Sequence, residues 1–282
     1  MTQNKSLILL RGGGDLASGV ALRLYRSGLQ LVISELEQPL AVRRSVSFAE
    51  AVYEGQHTVE GVTARLVKRE RLPAVLDAGE IPVLIDPDAD ILSALPFLIV
   101  IDARLTKQTP SPLAVDVPLH IGLGPGFHAG RDCHAVIETR RSHTLGRVYW
   151  EGTTQADSGL PEGDPRRVLR ASADGMFTAY KKIGEHVEAG EVIAEIKPSN
   201  SEGDVLSLSR DQTSQVVTPL SGVLRGILRD GLPVKRGLKI GDVDPRDDRE
   251  ACYLVSDKAL SIGGGVLEAI LARGEIRKEL WM

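Results

Sequence analysis

Short apolar runs alternate with helical patterns over the first half of the chain. The runs lie at residues 6–11, 30–35, 62–67, 81–86, 97–102 and 119–123. Continuous apolar runs of this length are typical of strands buried on both faces by crossover helices. Helical spacing predicts helices at residues 17–27, 47–54 and 74–78. This alternation predicts an α/β fold with an open, mostly parallel, doubly wound sheet of the Rossmann-like kind.

The pattern changes near residue 145, where glycine, valine and proline recur at short intervals. Gly175, Gly184, Val187 and Gly190 each have the same residue type 47 positions later. The repeat predicts two similar β-hairpin units with glycines at positions that need positive φ. It is similar to the biotinyl/lipoyl-type barrel-sandwich hybrid. The one lysine of the connecting segment, Lys197, lacks the flanks of a modified carrier lysine, so neither biotin nor lipoate is expected.

These patterns predict three regions along the chain. Residues 1–144 form a Rossmann-like α/β domain, residues 145–245 a barrel-sandwich hybrid-like β domain, and residues 246–282 a C-terminal helical segment. The chain has 282 residues and a net charge of −4, which argues against nucleic-acid or membrane partners. Two cysteines and no long apolar run predict a cytoplasmic protein in a reducing compartment.

A glycine-rich turn follows the first apolar run. Gly12, Gly14 and Ala17 occupy the small positions of a G-x-G-x-x-[GA] pattern that surrounds Gly13 and Asp15. Such turns let a pyrophosphate approach the backbone at a helix N-terminus, and Glu35 ends the second run, where a ribose-binding acid would lie. The alternative is a tight turn without a ligand. Asp15 would repel a phosphate beside it, so either its side chain turns away or the ligand contact is not a phosphate.

Further candidate binding residues lie at other predicted strand ends. Asp86 and Asp102 each end an apolar run, and Arg104 and Lys107 follow the second one. The alternative is helix capping by the aspartates and exposed, solvated cations. Arg43 and Arg44 could bind a phosphate, or they could form a solvated pair. A second glycine-rich turn, which includes Gly124, Gly126 and Phe127, could surround an anion or a flat heterocycle, and its alternative is a linker loop between domains.

No motif of nucleophilic or metal catalysis accompanies these residues. Cys133 and His134 are neighbours without a known zinc spacing, and neither a nucleophile elbow nor a Walker loop is present. We therefore predict no metal site, and whether the protein is an enzyme stays open.

Several sequence blocks occur together in one order, among them "RGGGDLASG", "PLAVRRSVSFAEAVYEG", "IDARLTK", "LGPGFHAGRDCHAVIET" and "SDKALSIGGGVLEAIL". With them the chain resembles the YqeB-type family of accessory proteins for selenium-dependent molybdenum hydroxylases over nearly its full length. Its first half is distantly similar to the xanthine dehydrogenase accessory (XdhC) proteins. The association with selenium is a property of the family and is visible in none of these residues.

The resemblance implies maturation of a molybdenum hydroxylase, which would be the protein partner. The small-molecule partner would then be a molybdopterin-type cofactor or an NAD(P)-like nucleotide held by the Rossmann-like half. Two alternatives are an NAD(P)-dependent oxidoreductase and a non-catalytic scaffold that docks a hydroxylase.

Overall fold

The computed structural model describes residues 7–159, 163–198 and 213–281. The chain divides into two compact units: the first consists of Met1–Pro39, Val46–Gly159 and Val255–Met282, and the second of Leu40–Ser45 and Leu160–Leu254. These divisions differ from the boundaries predicted at residues 144/145 and 245/246. Part of the segment that connects the two halves of the repeat, residues 199–212, lies outside the described residues.

The first unit is built on a nine-stranded sheet with the order β3-β4-β5-β2-β1-β6-β7-β8-β9. The strands are β1 (Ile8–Arg11), β2 (Leu31–Glu35), β3 (Gln56–Val59), β4 (Val62–Leu66), β5 (Ile81–Ile85), β6 (Ile99–Asp102), β7 (Leu119–Leu123), β8 (Ala135–Ile137) and β9 (Val148–Tyr149). The seven strands that lie between β3 and β9 in this order are parallel to one another, whereas β3 and β9 are antiparallel to their neighbours. Glu60 and Gly61 both have positive φ, which suits the tight hairpin turn that joins β3 to β4.

Helices pack against both faces of this sheet. They are α1 (Asp15–Arg26), α2 (Ala51–Glu54), α3 (Leu72–Asp77), α4 (Asp257–Ala272) and α5 (Gly274–Trp281). Helices α1, α2, α4 and α5 contribute to the apolar core on one face, whereas Leu72 of α3 belongs to the cluster on the other. Glycine allows α1 and α4 to approach closely, because a Cβ on Gly19 would lie 2.5 Å from Cβ of Ala259. Leu9 and Val100 belong to the cluster that contains Leu72 of α3 and not to the core that contains α1 and α4, so the central strands are buried on both faces.

The second unit contains two four-stranded antiparallel sheets, with the orders β10-β17-β15-β12 and β14-β13-β11-β16. The strands are β10 (Val168–Arg170), β11 (Gly175–Ala179), β12 (His186–Val187), β13 (Val192–Lys197), β14 (Ser214–Val217), β15 (Gly222–Ile227), β16 (Pro233–Val234) and β17 (Lys239–Asp244). The sequence repeat is a structural repeat. Gly175 and Gly222 have φ of +158° and +148°, and a Cβ on either would clash with a backbone carbonyl of the strand beside it.

The predicted fold class, a Rossmann-like mostly parallel sheet followed by a barrel-sandwich hybrid and a C-terminal helix, is wrong. The large sheet is mixed, because β3 and β9 add antiparallel strands at its two sides. The β-rich region forms two antiparallel sheets, and the C-terminal segment forms two helices that belong to the first unit. Within the described residues, no helix combines the length and the apolarity needed to span a bilayer.

Candidate functional site

The three glycines of the first turn differ in what their surroundings require. Gly12 has a φ of +95°, and a Cβ on Gly13 would lie 2.9 Å from the backbone nitrogen of Ala49, so the fold itself needs glycine at both. Gly14 has φ −64° and ψ −178°, which any residue adopts. No atom lies within 4 Å of a Cβ built on Gly14. Neither backbone conformation nor packing therefore explains the missing side chain at this position.

Glu35, at the end of β2, holds the glycine turn in place. Its Oε1 accepts the N–H of Gly13 at 2.7 Å and its Oε2 accepts the N–H of Leu36 at 2.6 Å. Burial raises the pKa of the carboxyl group, and these two backbone hydrogen bonds oppose the increase. Because both oxygens already accept backbone donors, Glu35 fixes the turn first and has only its remaining lone pairs for a ligand hydroxyl.

Asp15 begins helix α1 and lies at its positive end. Its Oδ1 accepts the N–H of Leu16 at 2.9 Å, a contact that suits the helix dipole. Ala17, on the same helix, is buried in the core. The turn therefore presents backbone N–H groups together with one partly exposed carboxylate, which opposes an anionic ligand.

Ser18 is a positioning residue that sequence reasoning missed. Its hydroxyl donates to the carbonyl of Gly13 at 3.1 Å and accepts the N–H of Phe48 at 2.8 Å. The sequence signal that could have indicated this role is a serine in the first turn of a predicted helix that follows three glycines, and the structure buries this serine fully.

A cluster of ion pairs around the buried Asp102 lies at the carboxyl ends of β1 and β6. The Asp102 side chain is 1% exposed, and Arg104 contacts it through two nitrogens, from Nε to Oδ1 at 2.9 Å and from Nη2 to Oδ2 at 2.6 Å. Arg11 approaches the same carboxylate at 3.5 Å and donates from Nη2 to the carbonyl of Pro87 at 3.1 Å. Hydrogen bonding to Asp102 raises the pKa of Arg104, whereas burial lowers the pKa of Arg11. Arg11, a charged residue ending an apolar strand, is absent from the predicted set.

Asp86 lies beside Glu35 but serves as a cap. Its N–H donates to the carbonyl of Glu35 at 2.9 Å, and its carboxylate accepts the N–H groups of Asp90 and Ile91 at 2.9 and 3.1 Å. The capping alternative is thus the contact that the structure shows. Asp86 also borders a cavity of about 730 Å³ with apolar walls, in which Ile85 is 47% exposed.

The second glycine-rich turn is filled by its own residues. Phe127 is buried and meets the ring of His120 edge to face, with ring centroids 5.9 Å apart. A Cβ on Gly126 would clash with the carbonyl of Thr106, and Gly124 has a φ of +86°. Packing and backbone conformation explain this turn, and its predicted binding of an anion gains no support.

The remaining predicted cations contact the protein itself. Arg43, in the second unit, donates from Nη2 to the carbonyls of Ala251 and Leu254 at 3.1 and 3.0 Å. Arg44, in the same unit, donates from Nε to the carbonyl of Ile227 at 2.9 Å.

Lys107, in the first unit, forms an exposed ion pair with Asp157 at 2.5 Å.

The structure brings together Gly12–Ala17, Glu35, Asp86, Asp102 and Arg104, and gives the other candidates local structural roles. We call this set the carboxyl edge, because it follows the carboxyl ends of β1, β2, β5 and β6.

Cys133 has the surroundings of an unreactive thiol. Burial raises its pKa to about 12, and its Sγ lies 3.2 Å from the carbonyl of Ala135. The described part of the chain contains no group of three or more side chains placed to hold a metal ion.

Comparison with known proteins identifies one curated relative. The chain is 46% identical over 270 residues, 94% of its length, to "Uncharacterized protein YqeB" of Escherichia coli (strain K12), and it spans about half, 47%, of that relative. No family model matches the chain.

Solved structures give weaker likenesses. Product-bound EutE (DoeB), an ectoine utilization protein from Ruegeria pomeroyi, has a TM-score of 0.26, 13% identity and 85% coverage of both chains. An aspartoacylase family protein from Mesorhizobium loti has a TM-score of 0.28 and 14% identity, and covers 86% of this chain and 85% of its own. A succinylglutamate desuccinylase/aspartoacylase from Rhodobacter sphaeroides has a TM-score of 0.27, 16% identity and 85% coverage of both chains. At these TM-scores the likenesses assign neither an activity nor a substrate to this chain.

These comparisons correct the predicted recognition, function and partner. The curated relative has no described activity, and the solved structures are an ectoine utilization protein and aspartoacylase or desuccinylase proteins, not XdhC-like accessory proteins. The prediction of a maturation factor for a selenium-dependent molybdenum hydroxylase, with that hydroxylase as its partner, is wrong. The same comparisons contradict the two alternatives, an NAD(P)-dependent oxidoreductase and a non-catalytic scaffold that docks a hydroxylase. The cofactor, a molybdopterin-type molecule or an NAD(P)-like nucleotide, stays a prediction.

Proposed function

We propose that the carboxyl edge binds a phosphate-bearing small molecule, and that an NAD(P)-like nucleotide is the class to test first. The observation that carries the proposal is the open space beside Gly14, at the start of the 12-residue helix α1. A Cβ there would lie in open space at the N-cap of α1, which is the position that an anion bound by the helix N-terminus would occupy. The first N–H groups of a helix lack intrahelical acceptors, and the helix dipole favours negative charge beside them.

The neighbouring cavity supplies the apolar part of such a site. It is lined by Leu84, Ile85 and Ile91, among other residues, and borders Asp86. The backbone hydrogen bond between Asp86 and Glu35, and the hydrogen bond from Gly13 to Glu35, connect the cavity to the glycine turn. Flat heterocycles bind apolar walls with a few polar groups nearby, which supports a nucleotide over an isolated phosphate ion.

Arg104 supplies the cationic part of the site. Its side chain is 37% exposed, and Nε and Nη2 contact Asp102. A guanidinium carries five N–H donors in a fixed fork, so Nη1 can still donate to a phosphate. The pairing with Asp102 limits the freedom of the side chain and lowers the entropy that a ligand contact would cost.

Equilibrium dialysis of NAD⁺, NADP⁺ and pyrophosphate against the wild type and Gly14→Val tests the proposal. We expect saturable nucleotide binding by the wild type and at least about a hundredfold loss in Gly14→Val, because the valine fills the space for the ligand. Gly264→Val is the matched control, since Gly264 also has no atom within 4 Å of a Cβ but lies on α4. The proposal fails if the wild type binds none of the probes, or if Gly14→Val binds them unchanged.

A further inference from the structure

A second cavity, of about 530 Å³, lies at the amino ends of β7 and β8. We call it the amino-edge cavity, because the parallel strands run from this side toward the carboxyl edge. Its polar walls include His134, Asp116 and Arg273, and its apolar walls include Leu113, Val115 and Trp150. Nothing in the proposed nucleotide site uses these residues.

Two histidines fix the hydrogen-bonding character of this cavity. Nδ1 of His134 accepts the backbone N–H of His120 at 2.9 Å, and the backbone N–H of His134 donates to the carbonyl of His120 at 2.9 Å. A ring nitrogen that accepts a hydrogen bond carries no proton, so neutral His134 holds its proton on Nε2. His134 therefore offers an N–H donor at Nε2.

The ring of His120 adds an unfilled polar contact beside the cavity. Its Nε2 is buried and has no hydrogen-bond partner among the described residues. Burial lowers the pKa of this histidine to about 4, so the ring is neutral at physiological pH. Buried polar atoms without hydrogen-bond partners are uncommon in folded proteins, so the Nε2 atom of His120 needs an explanation.

Arg273 is a cation held in place by an aromatic ring. Its guanidinium carbon lies 4.6 Å from the ring centroid of Trp150. Within the described ranges, the carboxylate within 4.0 Å of its guanidinium is that of Glu275, and the distance from Nη1 to Oε1 is 3.8 Å, too long for a hydrogen bond. The guanidinium is therefore oriented by Trp150 while its donors remain available for a ligand carboxylate.

Asp116 supplies the opposite charge. The pKa of His134 is lowered by burial and by Arg273, and it is raised by Asp116, so His134 lies in the field of one cation and one anion. The other charged residues that line the cavity, Arg131 and Asp132, neutralise each other through contacts of 2.9 Å. The charges left to recognise a ligand are those of Arg273 and Asp116.

We infer that the amino-edge cavity binds a small zwitterion with an apolar body, of which an aliphatic α-amino acid is the simplest form. The ligand carboxylate contacts Arg273 and Nε2–H of His134, the ammonium contacts Asp116, and the aliphatic side chain lies against Leu113 and Val115. The inference needs neither Gly14 nor a nucleotide, so it stands or fails separately from the proposed function.

Binding of three related probes to the full chain, measured by titration calorimetry, tests this inference. L-Leucine carries both charges, N-acetyl-L-leucine lacks the ammonium, and L-leucinamide lacks the carboxylate. We expect L-leucine to bind at least about tenfold more tightly than either derivative, because each derivative loses one charge-assisted contact. Equal binding of all three probes, or no binding of L-leucine up to about 10 mM, overturns the inference.

Two variants assign the charges, and a third serves as control. Arg273→Gln should weaken L-leucine binding by about tenfold or more, and Asp116→Asn should make L-leucine and N-acetyl-L-leucine bind alike. Lys278→Gln makes the same charge change at an exposed position on α5 and should leave all affinities unchanged. If Arg273→Gln binds L-leucine as the wild type does, the assigned carboxylate contact is wrong.

Discussion

The two edges of the nine-stranded sheet are built in different ways. At the carboxyl edge, backbone N–H groups form much of the site, and Asp102 forms ion pairs with Arg104 and with the neighbouring Arg11. At the amino edge, side chains from separate segments surround a cavity, and Arg273 and Asp116 have no strong ion pair within the described residues. Packing and internal contacts leave Gly14 unexplained at the first edge, and the two charges and the unpartnered Nε2 atom of His120 at the second. The feature that folding does not require is the one that indicates a ligand at each edge.

The largest expected effect concerns the pH dependence of stability at the amino edge. The pKa of His120 is about 4 in the folded protein and near 6.5 in an unfolded chain, and Asp102, His134 and Arg11 are the charged or titratable groups that act on it. Below pH 6.5 the unfolded state binds a proton that the folded state refuses until about pH 4. The contribution of His120 to the free energy of unfolding should therefore fall by about 3 kcal/mol as the pH decreases across this window.

Chemical denaturation of the wild type and His120→Leu between pH 7 and pH 4 measures this contribution. The difference between their free energies of unfolding should change by about 3 kcal/mol in favour of the variant as the pH falls. A difference that stays constant with pH would show that His120 is not held neutral by burial.

The next effect separates the two glycines of the carboxyl edge. Gly13→Ala places a Cβ 2.9 Å from the backbone nitrogen of Ala49, whereas Gly14→Ala places it in open space. We expect Gly13→Ala to lower the free energy of unfolding by about 2 kcal/mol, and Gly14→Ala to lower it by less than about 1 kcal/mol, because glycine caps a helix better than alanine. Thermal or urea unfolding of the two variants checks this, and equal losses would mean that the folded chain needs both glycines.

Asp15 gives the smallest effect and sharpens the contrast between the edges. Its carboxylate lies at the helix N-terminus, where the proposed ligand places a phosphate. Asp15→Asn removes one like charge, so pyrophosphate and nucleotide should bind about threefold more tightly at low ionic strength. L-Leucine binding at the amino edge should not change. Weaker nucleotide binding in Asp15→Asn would mean that the carboxylate contacts the ligand, for instance through a ribose hydroxyl.

Strands buried on both faces could be located from the sequence. The runs predicted at residues 30–35 and 81–86 correspond to β2 (Leu31–Glu35) and β5 (Ile81–Ile85), because central parallel strands are continuously apolar. β3 (Gln56–Val59) escaped this pattern because it lies at the side of the sheet, and two of its four residues are exposed. The antiparallel pairing of β3 with β4 contributes to making the sheet mixed, and no apolar run in the sequence predicts β3.

The candidate sites were predictable to different extents. Strand ends and the glycine pattern indicated the carboxyl edge, and capping by Asp86, which contacts residues close in sequence, was one of the two alternatives. The sequence could not show that Arg43 donates to carbonyls of the second unit, because these neighbours are distant in sequence. The amino-edge cavity could not be predicted from the sequence, because His134, Asp116 and Arg273 come from three segments that only the folded topology brings together.

Amide chemical shifts of Gly12–Ala17 during a titration with NAD⁺ test the central claim most directly. The account predicts saturable shifts at these amides in the wild type, none in Gly14→Val, and no change at the amides of His120 and His134. Saturable binding that moves only other amides, or shifts in Gly14→Val that match those of the wild type, would contradict a ligand site at the glycine turn.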